Sequence, residues 1–161
     1  MRIFNLGCIP YFLFIKRWIL LLPFLLMQLE GTAQSANSIW IFGDSAGVNF
    51  SNVNNPVPIS SGMDGRGSSS SIADSSGSLI LYAATLGFIH GDWVTRIFNS
   101  QDTIIQGCDS ITGAGWYSEV ITIPRPNHQN QYYVFSVGLD SPYNQGCFYT
   151  LVDMNLNSGM G

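Results

Sequence analysis

Short runs of β-branched and aromatic residues, separated by turn-forming residues, recur along the chain from residue 68 onward. The first two runs flank the sequence DSSG at residues 74–77, where an initial Asp and a final Gly favour a tight hairpin turn. The next two runs flank a polar turn at residues 99–102 in the same way. The pattern predicts an antiparallel meander of four strands, at residues 68–73, 78–84, 93–98 and 103–106.

A second group of strands follows with the same layout. Its runs of strand-forming residues lie at residues 117–124, 131–137 and 147–156, and polar loops separate them. A four-stranded meander that repeats at about 40 to 50 residues is typical of a blade of a β-propeller. We therefore predict an all-β fold made of antiparallel four-stranded meanders, the first one or two blades of a propeller-like domain. A small β-sandwich is the alternative.

The first 33 residues predict a signal peptide. Basic residues precede an uncharged apolar run at residues 18–27, and small residues lead up to Ala33. The run is shorter than the roughly 20 apolar residues that a membrane-spanning helix needs. We therefore expect cleavage after Ala33, export of residues 34–161, and no membrane insertion of the mature chain.

Composition limits the partners of residues 34–161. This segment has no Lys and three Arg residues against nine acidic residues, a net charge of about −6. Nucleic acids and anionic membrane surfaces both attract clustered cations, which the segment lacks. We therefore expect no nucleic-acid partner, and an extracellular glycan or protein is the candidate ligand.

The predicted repeats do not complete a ring. Propellers close with about 4 to 8 blades, whereas residues 34–161 provide fewer than two, with one further strand at residues 38–43. We therefore expect the chain to be a fragment from the N-terminal part of a longer protein, whose downstream blades and domains are its partners. Open blades would leave apolar faces and strand edges exposed.

Cys108 and Cys147 are the two cysteines of the predicted mature chain. Export to an oxidising compartment makes a disulfide between them a candidate, and the alternative is that each packs as a small free thiol beside a glycine. Neither has Cys or His neighbours at the spacing of a zinc site. We predict no metal and no cofactor.

The sequence FGDS at residues 42–45 raises the hypothesis of a secreted GDSL-like serine hydrolase with Ser45 as nucleophile. Such a nucleophile needs a strand before it and a helix after it, but the Asn, Pro and Gly residues that follow Ser45 disfavour a helix. Neither His90 nor His128 has the Asp three positions earlier that would complete the catalytic set. We predict that Ser45 lies in a turn and that the protein is not an enzyme.

Aromatic residues offer a second kind of site. Trp93, Trp116 and Tyr132 are candidates for a platform on which a sugar ring stacks, as in a carbohydrate-binding module. Large aromatic residues are more often buried, so packing between blades is the alternative interpretation of the same residues.

Four stretches together resemble one protein family through their order and spacing: WIFGDSAGVNFSN, GRGSSSSIADSSGSLILYAA, VITIPRPNHQNQYYVFSV and YTLVDMNLNSGMG. They are similar to the N-terminal region of the secreted gliding motility-associated and PKD-repeat proteins of Bacteroidota, which carry a C-terminal type IX secretion sorting domain. The resemblance covers residues 40–161 and is weakest in the segment TLGFIHGDWVTRIF. It implies a propeller-like, non-catalytic module of a secreted or outer-membrane-associated protein, with a structural or binding role in gliding or adhesion.

Overall fold

Nine strands form three antiparallel sheets in the computed structural model, which describes residues 35–63, 65, 67–89, 92–112, 120–138 and 146–161. Each sheet is a meander of three strands that follow one another in the chain. The first sheet contains β1 (Ile39–Phe42), β2 (Ala46–Asn49) and β3 (Val57–Ser60). The second contains β4 (Ser69–Ala73), β5 (Leu79–Ile89) and β6 (Asp92–Asn99). The third contains β7 (Val120–Pro124), β8 (Gln131–Gly138) and β9 (Gly146–Asp153), after which a short 3-10 helix spans Asn157–Gly159.

The described residues all lie in one unit of the chain, Thr32–Gly161. The predicted signal peptide, residues 1–33, falls outside them. Within the described residues, no helix has the length and apolar character needed to cross a membrane.

The prediction of an antiparallel all-β fold is confirmed, but the fourth strand of the predicted meander is not formed. Residues 103–106 run beside the outer edge of β6 and meet it at one isolated bridge, between Ile104 and Phe98, and a second bridge joins Ile111, further along the chain, to Thr95. Asp102 and Gly107 have positive φ angles of 58° and 76° on either side of this segment. A backbone in the left-handed region cannot continue an extended strand, so the second sheet keeps three strands.

The first sheet has more strands than predicted, since the sequence predicted a single strand here, at residues 38–43. Asp44 and Ser45 both have positive φ angles, 54° and 63°, and the N–H of Ala46 donates to the carbonyl of Gly43 at 3.3 Å. This is the geometry of a type I′ turn, whose twist matches that of the two strands it joins. The turn returns the chain as β2, and β3 then pairs with β2.

The hairpin predicted at residues 74–77 is confirmed. The Asp74 carboxylate accepts hydrogen bonds from the backbone N–H groups of Ser76 and Ser78, at 2.7 and 3.0 Å. Gly77 has a φ of 84°, the conformation that favours glycine. Asp and Gly therefore hold the turn between β4 and β5 in the roles that the sequence assigned to them.

The second sheet is buried on both faces. Along β5, Tyr82 and Ala84 belong to the core shared with the first sheet, whereas Leu81 and Ala83 belong to the core shared with the third sheet. All four side chains are fully buried. Successive side chains of a strand point to opposite faces, so a strand covered on both faces needs an uninterrupted apolar run. The run LILYAA in β5 meets this need.

The first strands of the three sheets, β1, β4 and β7, are neighbours, and we call them the lead strands. Serine side chains of β4 join them. The hydroxyl of Ser71 donates to the carbonyl of Ile39 at 2.6 Å, and Ser69 makes a similar bond on the same side. On the other side, Ser70 accepts a hydrogen bond from the N–H of Thr122 in β7, at 2.8 Å. The serine run therefore satisfies backbone groups of β1 and β7 that their own sheets leave free.

Candidate functional site

The third sheet carries an apolar surface on the side that faces away from the second sheet. Strand pairing places six side chains there in two rows, since directly paired residues share a face. We call this surface the third-sheet face. One of its rows consists of Ile121, Phe135 and Tyr149, and the other consists of Ile123, Tyr133 and Leu151.

Exposure separates the two faces of the third sheet. On the third-sheet face, 66% of Tyr149 and 56% of Ile121 are exposed, while Tyr133 and Phe135 are half-buried. On the opposite face, Val134 is fully buried against the second sheet. An antiparallel sheet with one face in water normally carries polar residues on that face. Apolar residues on both faces of one sheet mark the exposed one as an interaction surface.

Ring contacts fix the aromatic part of the third-sheet face. Tyr133 lies edge-on to Tyr149 with ring centroids 5.7 Å apart, and Phe135 contacts both rings. The Arg125 guanidinium lies 5.9 Å from the centroid of Tyr133 and donates to the side chain of Gln131 at 2.7 Å. These contacts hold the rings in one arrangement, which reduces the entropy lost when a partner binds.

A polar network borders this face. The side chain of Gln131 donates to one carboxylate oxygen of Asp153 at 2.7 Å, and the backbone N–H of Asn155 donates to the other at 2.9 Å. The bond from the Asn155 backbone, followed by that from Gln131, lowers the pKa of Asp153. The apolar rows therefore end at a hydrogen-bonded, charged rim.

The first sheet carries a second apolar surface, on the side that faces away from the second sheet. Trp40, 56% exposed, and Phe42 project there from β1. The indole N–H of Trp40 donates to the carbonyl of Asn37 at 2.9 Å, and its ring lies 5.0 Å from that of Phe50. We call this surface the first-sheet face. One of its rows consists of Trp40, Val48 and Pro58, and the other consists of Phe42, Ala46 and Ser60.

Of the three residues of the candidate aromatic platform, only Tyr132 has a described side chain. Tyr132 is only 7% exposed and packs in the core between the second and third sheets, in agreement with the alternative interpretation that these residues pack in the interior. Trp93 lies in β6, but its side chain is outside the described part of the structure, as is the whole of Trp116. Among the side chains that the structure describes, the exposed aromatic ones are those of Trp40, Phe42 and Tyr149. In the strands of the third sheet, uncharged residues occupy the positions that face the second sheet and also the alternating positions that face away from it. This pattern was the signal in the sequence for an exposed apolar face.

Cys108 and Cys147 are not joined in the structure, where both are free thiols. Cys108 is buried in the core next to the third sheet, and Cys147 is exposed on β9. Burial, with a smaller effect from the Asp109 carboxylate, raises the pKa of the Cys108 thiol.

Ser45 lies in the type I′ turn, and a strand, not a helix, follows it. Its hydroxyl donates to the carbonyl of Met63 at 3.1 Å. His128 is exposed in the loop between β7 and β8, and His90 lies outside the described residues. The strand–serine–helix arrangement of the hydrolase hypothesis is therefore absent at Ser45. Within the described ranges, no group of three His, Cys, Asp or Glu side chains could hold a metal ion.

Comparison with known proteins gives no match: no family model fits the chain, and no curated protein or solved structure matches it. The two exposed faces and the stacking of the sheets between them are therefore the features of this chain that bear on its function.

Proposed function

We propose that this chain is a non-enzymatic structural and binding module of a secreted or cell-surface protein, of the kind associated with gliding motility or adhesion. Its three sheets are successive blades of a propeller-like domain. The observation that carries the proposal is the stack itself: three meanders with neighbouring lead strands, a middle sheet covered on both faces, and an apolar face at each end.

The stack favours propeller blades over a β-sandwich. A sandwich has two sheets, and each turns its outer face to water. Here the second sheet has no outer face, since cores lie on both of its sides. Blades of a propeller pack in this way, each between two others.

Two further features support a non-catalytic role outside the cell. Ser45, the one residue in a hydrolase-like motif, is engaged in a turn and bonded to a backbone carbonyl. The first 33 residues have the layout of an export signal. Type IX secretion and attachment at the outer membrane belong to the proposal through the family resemblance.

Whole-cell labelling tests the location. Cells that produce the full chain are treated with a thiol reagent that does not cross membranes. We expect modification of Cys147 in intact cells because its side chain is exposed, and none of Cys108 because it is buried. The matched control, Cys147→Ser, should abolish the signal. Labelling of Cys147 that appears only after lysis would contradict the proposal.

Ester hydrolysis tests the non-catalytic part of the proposal. Purified chain should hydrolyse p-nitrophenyl esters no faster than buffer, because Ser45 has no helix N-terminus behind it and no base assigned to it. Turnover that disappears in Ser45→Ala would contradict this part and favour the secreted hydrolase.

Carbohydrate binding is the second candidate function, and Trp40 is the observation that favours it. Its indole is more than half exposed and is held in place by the bond to Asn37, which suits it to stack on a sugar ring. A glycan array tests this with the full chain. Binding lost in Trp40→Ala but kept in the control Tyr149→Ala supports it, and equal binding in both variants contradicts it.

A further inference from the structure

We propose that two copies of this chain stack head to tail, with the third-sheet face of each copy on the first-sheet face of the other. The pairing closes a ring of six sheets, three from each copy. The inference rests on the proposed blade-like stacking and names the partner that covers both exposed faces of this chain.

The two interfaces inside the chain provide the first argument. Each places one meander flat on the next with lead strand beside lead strand, β1 beside β4 and β4 beside β7. The third-sheet face and the first-sheet face are the two ends of this series. Setting one on the other repeats the same arrangement, with β7 of one copy beside β1 of the other. The new contact therefore continues an interface that the fold already uses twice.

Shape provides the second argument. The third-sheet face is bulky on its middle and last strands, where Tyr133 and Tyr149 lie. The first-sheet face has small residues on the corresponding strands, including Ala46 and Ser60. Stacked in this way, large side chains meet small ones, as a close-packed interface requires. Two third-sheet faces set together would bring aromatic rings against aromatic rings.

The interface between the first and second sheets has the same division of sizes. The rings of Tyr82 and Phe98, stacked 4.9 Å apart on β5 and β6, belong to the core shared with the first sheet. The middle strand of the first sheet contributes Gly47, which has no side chain and pairs with Ile41 of the same core. Aromatic residues on the middle and last strands of one sheet thus already pack toward a sheet whose middle strand carries a glycine.

Closure provides the third argument. A head-to-tail contact joins two different surfaces, so it produces either a closed ring or an open fibre. Three sheets per chain and two chains give six, which lies within the range of about 4 to 8 blades that close into a propeller. A ring of two copies leaves neither face exposed, which is the outcome that burial of apolar surface favours.

Sedimentation of the full chain over a wide range of concentration tests the pairing. We expect a dimer for the wild type. Leu151→Lys on the third-sheet face and Phe42→Lys on the first-sheet face should each be monomeric, because a charge placed in either face disrupts both contacts of the ring. Val53→Lys, at an exposed apolar residue outside both faces, is the matched control and should remain dimeric.

Mixing the variants identifies the geometry. Leu151→Lys keeps an intact first-sheet face and Phe42→Lys keeps an intact third-sheet face. An equimolar mixture should therefore recover a mixed dimer through the one contact that carries no lysine, while the second contact, which carries both lysines, stays open. This recovery also shows that both variants are folded.

Three results would overturn the pairing. One is a wild-type monomer at all concentrations, which would leave downstream blades as the occupant of the faces. Another is a dimer lost in Leu151→Lys but kept in Phe42→Lys, which would mean that two third-sheet faces meet. The last is a series of oligomers larger than the dimer, which would mean that the contact builds an open fibre and not a closed ring. The absence of esterase activity does not depend on what covers the two faces and would stand in each case, so failure of the pairing is distinguishable from failure of the proposed function.

Discussion

The hydroxyl of Ser70 accepts a hydrogen bond from the backbone N–H of Thr122, at 2.8 Å, and so joins the second sheet to the third. Ser70 lies on β4 and Thr122 on β7, so the bond connects two strands that are not paired in one sheet. Thr122 is buried, which removes water as an alternative partner for its N–H group. The side chain of Ser70 therefore helps to hold the third sheet against the second.

Ser70→Ala should destabilise the fold. The substitution leaves a buried N–H group of Thr122 without its acceptor, and such a loss costs about 1–3 kcal/mol. Urea unfolding followed by circular dichroism measures the change. Ser75→Ala, at an exposed serine in the β4–β5 turn, is the control and should change stability by less than about 0.5 kcal/mol. Equal midpoints for the two variants would show that the inter-sheet bond contributes nothing.

Thr122→Val should be neutral or stabilising. The side-chain hydroxyl of Thr122 is buried and has no hydrogen-bond partner in the described part of the structure, whereas its backbone N–H is bonded to Ser70. Valine keeps the branched shape and the backbone bond while it removes the unpaired hydroxyl, whose burial costs about 1–3 kcal/mol. The same unfolding measurement applies. A loss of stability of more than about 1 kcal/mol would mean that the hydroxyl has a partner, such as an ordered water.

Gly47→Ala should destabilise the first sheet. A Cβ atom at this position would lie 2.7 Å from the carbonyl oxygen of Trp40 and 2.9 Å from the end of the Ile41 side chain. The first of these is backbone and cannot move aside cheaply, so the cost is that of overpacking, about 1–3 kcal/mol.

Gly107→Ala serves as the comparison for that variant. An added Cβ at Gly107 meets nothing within 4 Å, but the positive φ of 76° remains unfavourable for alanine. It should cost about 1 kcal/mol through backbone conformation alone. A Gly47→Ala variant as stable as the wild type would mean that the first sheet is less closely packed than the distances indicate.

Local sequence was enough to predict the strands and turns of the second sheet. The Asp and Gly of residues 74–77 act within the turn itself, and the apolar run of β5 reports burial on both faces without reference to any other element. The first sheet was not predictable in the same way. Residues 46–60 are rich in Asn and Pro, and β2 and β3 form through pairing and close approach, as the space around Gly47 shows.

The candidate site was harder to predict, and Tyr132 and Tyr133 show why. The two neighbours are of the same residue type and must point to opposite faces of β8. Which face is covered depends on the sheet packed against it, and that contact is made by residues distant in sequence. The sequence therefore left both a platform and an interior position open for Tyr132, which is buried, and Tyr133 belongs to the ring cluster on the other face.

Acid should destabilise the fold through Asp74 and Asp153. Hydrogen bonds lower the pKa of both, with the Ser76 hydroxyl as the largest cause at Asp74. An aspartate whose pKa is lowered by folding stabilises the fold above its unfolded-state pKa and loses that contribution as the pH falls through its folded-state pKa. The urea midpoint should therefore be constant from neutral pH to about 5 and fall below about pH 4.

Two variants assign the acid dependence to the Asp74 turn. Asp74→Asn keeps an acceptor oxygen for the N–H groups of Ser76 and Ser78 but cannot titrate, so its midpoint should fall less steeply in acid than that of the wild type. Ser76→Ala removes the largest cause of the lowered pKa, which moves the folded-state pKa of Asp74 towards its unfolded-state value, so the total decline in acid should be smaller than in the wild type. Urea midpoints measured from pH 7 down to about pH 2 compare the three chains, so that the scan passes below the ordinary aspartate pKa of about 3.9. An acid decline in Asp74→Asn as steep as that of the wild type would contradict the assignment and leave Asp153 as its source.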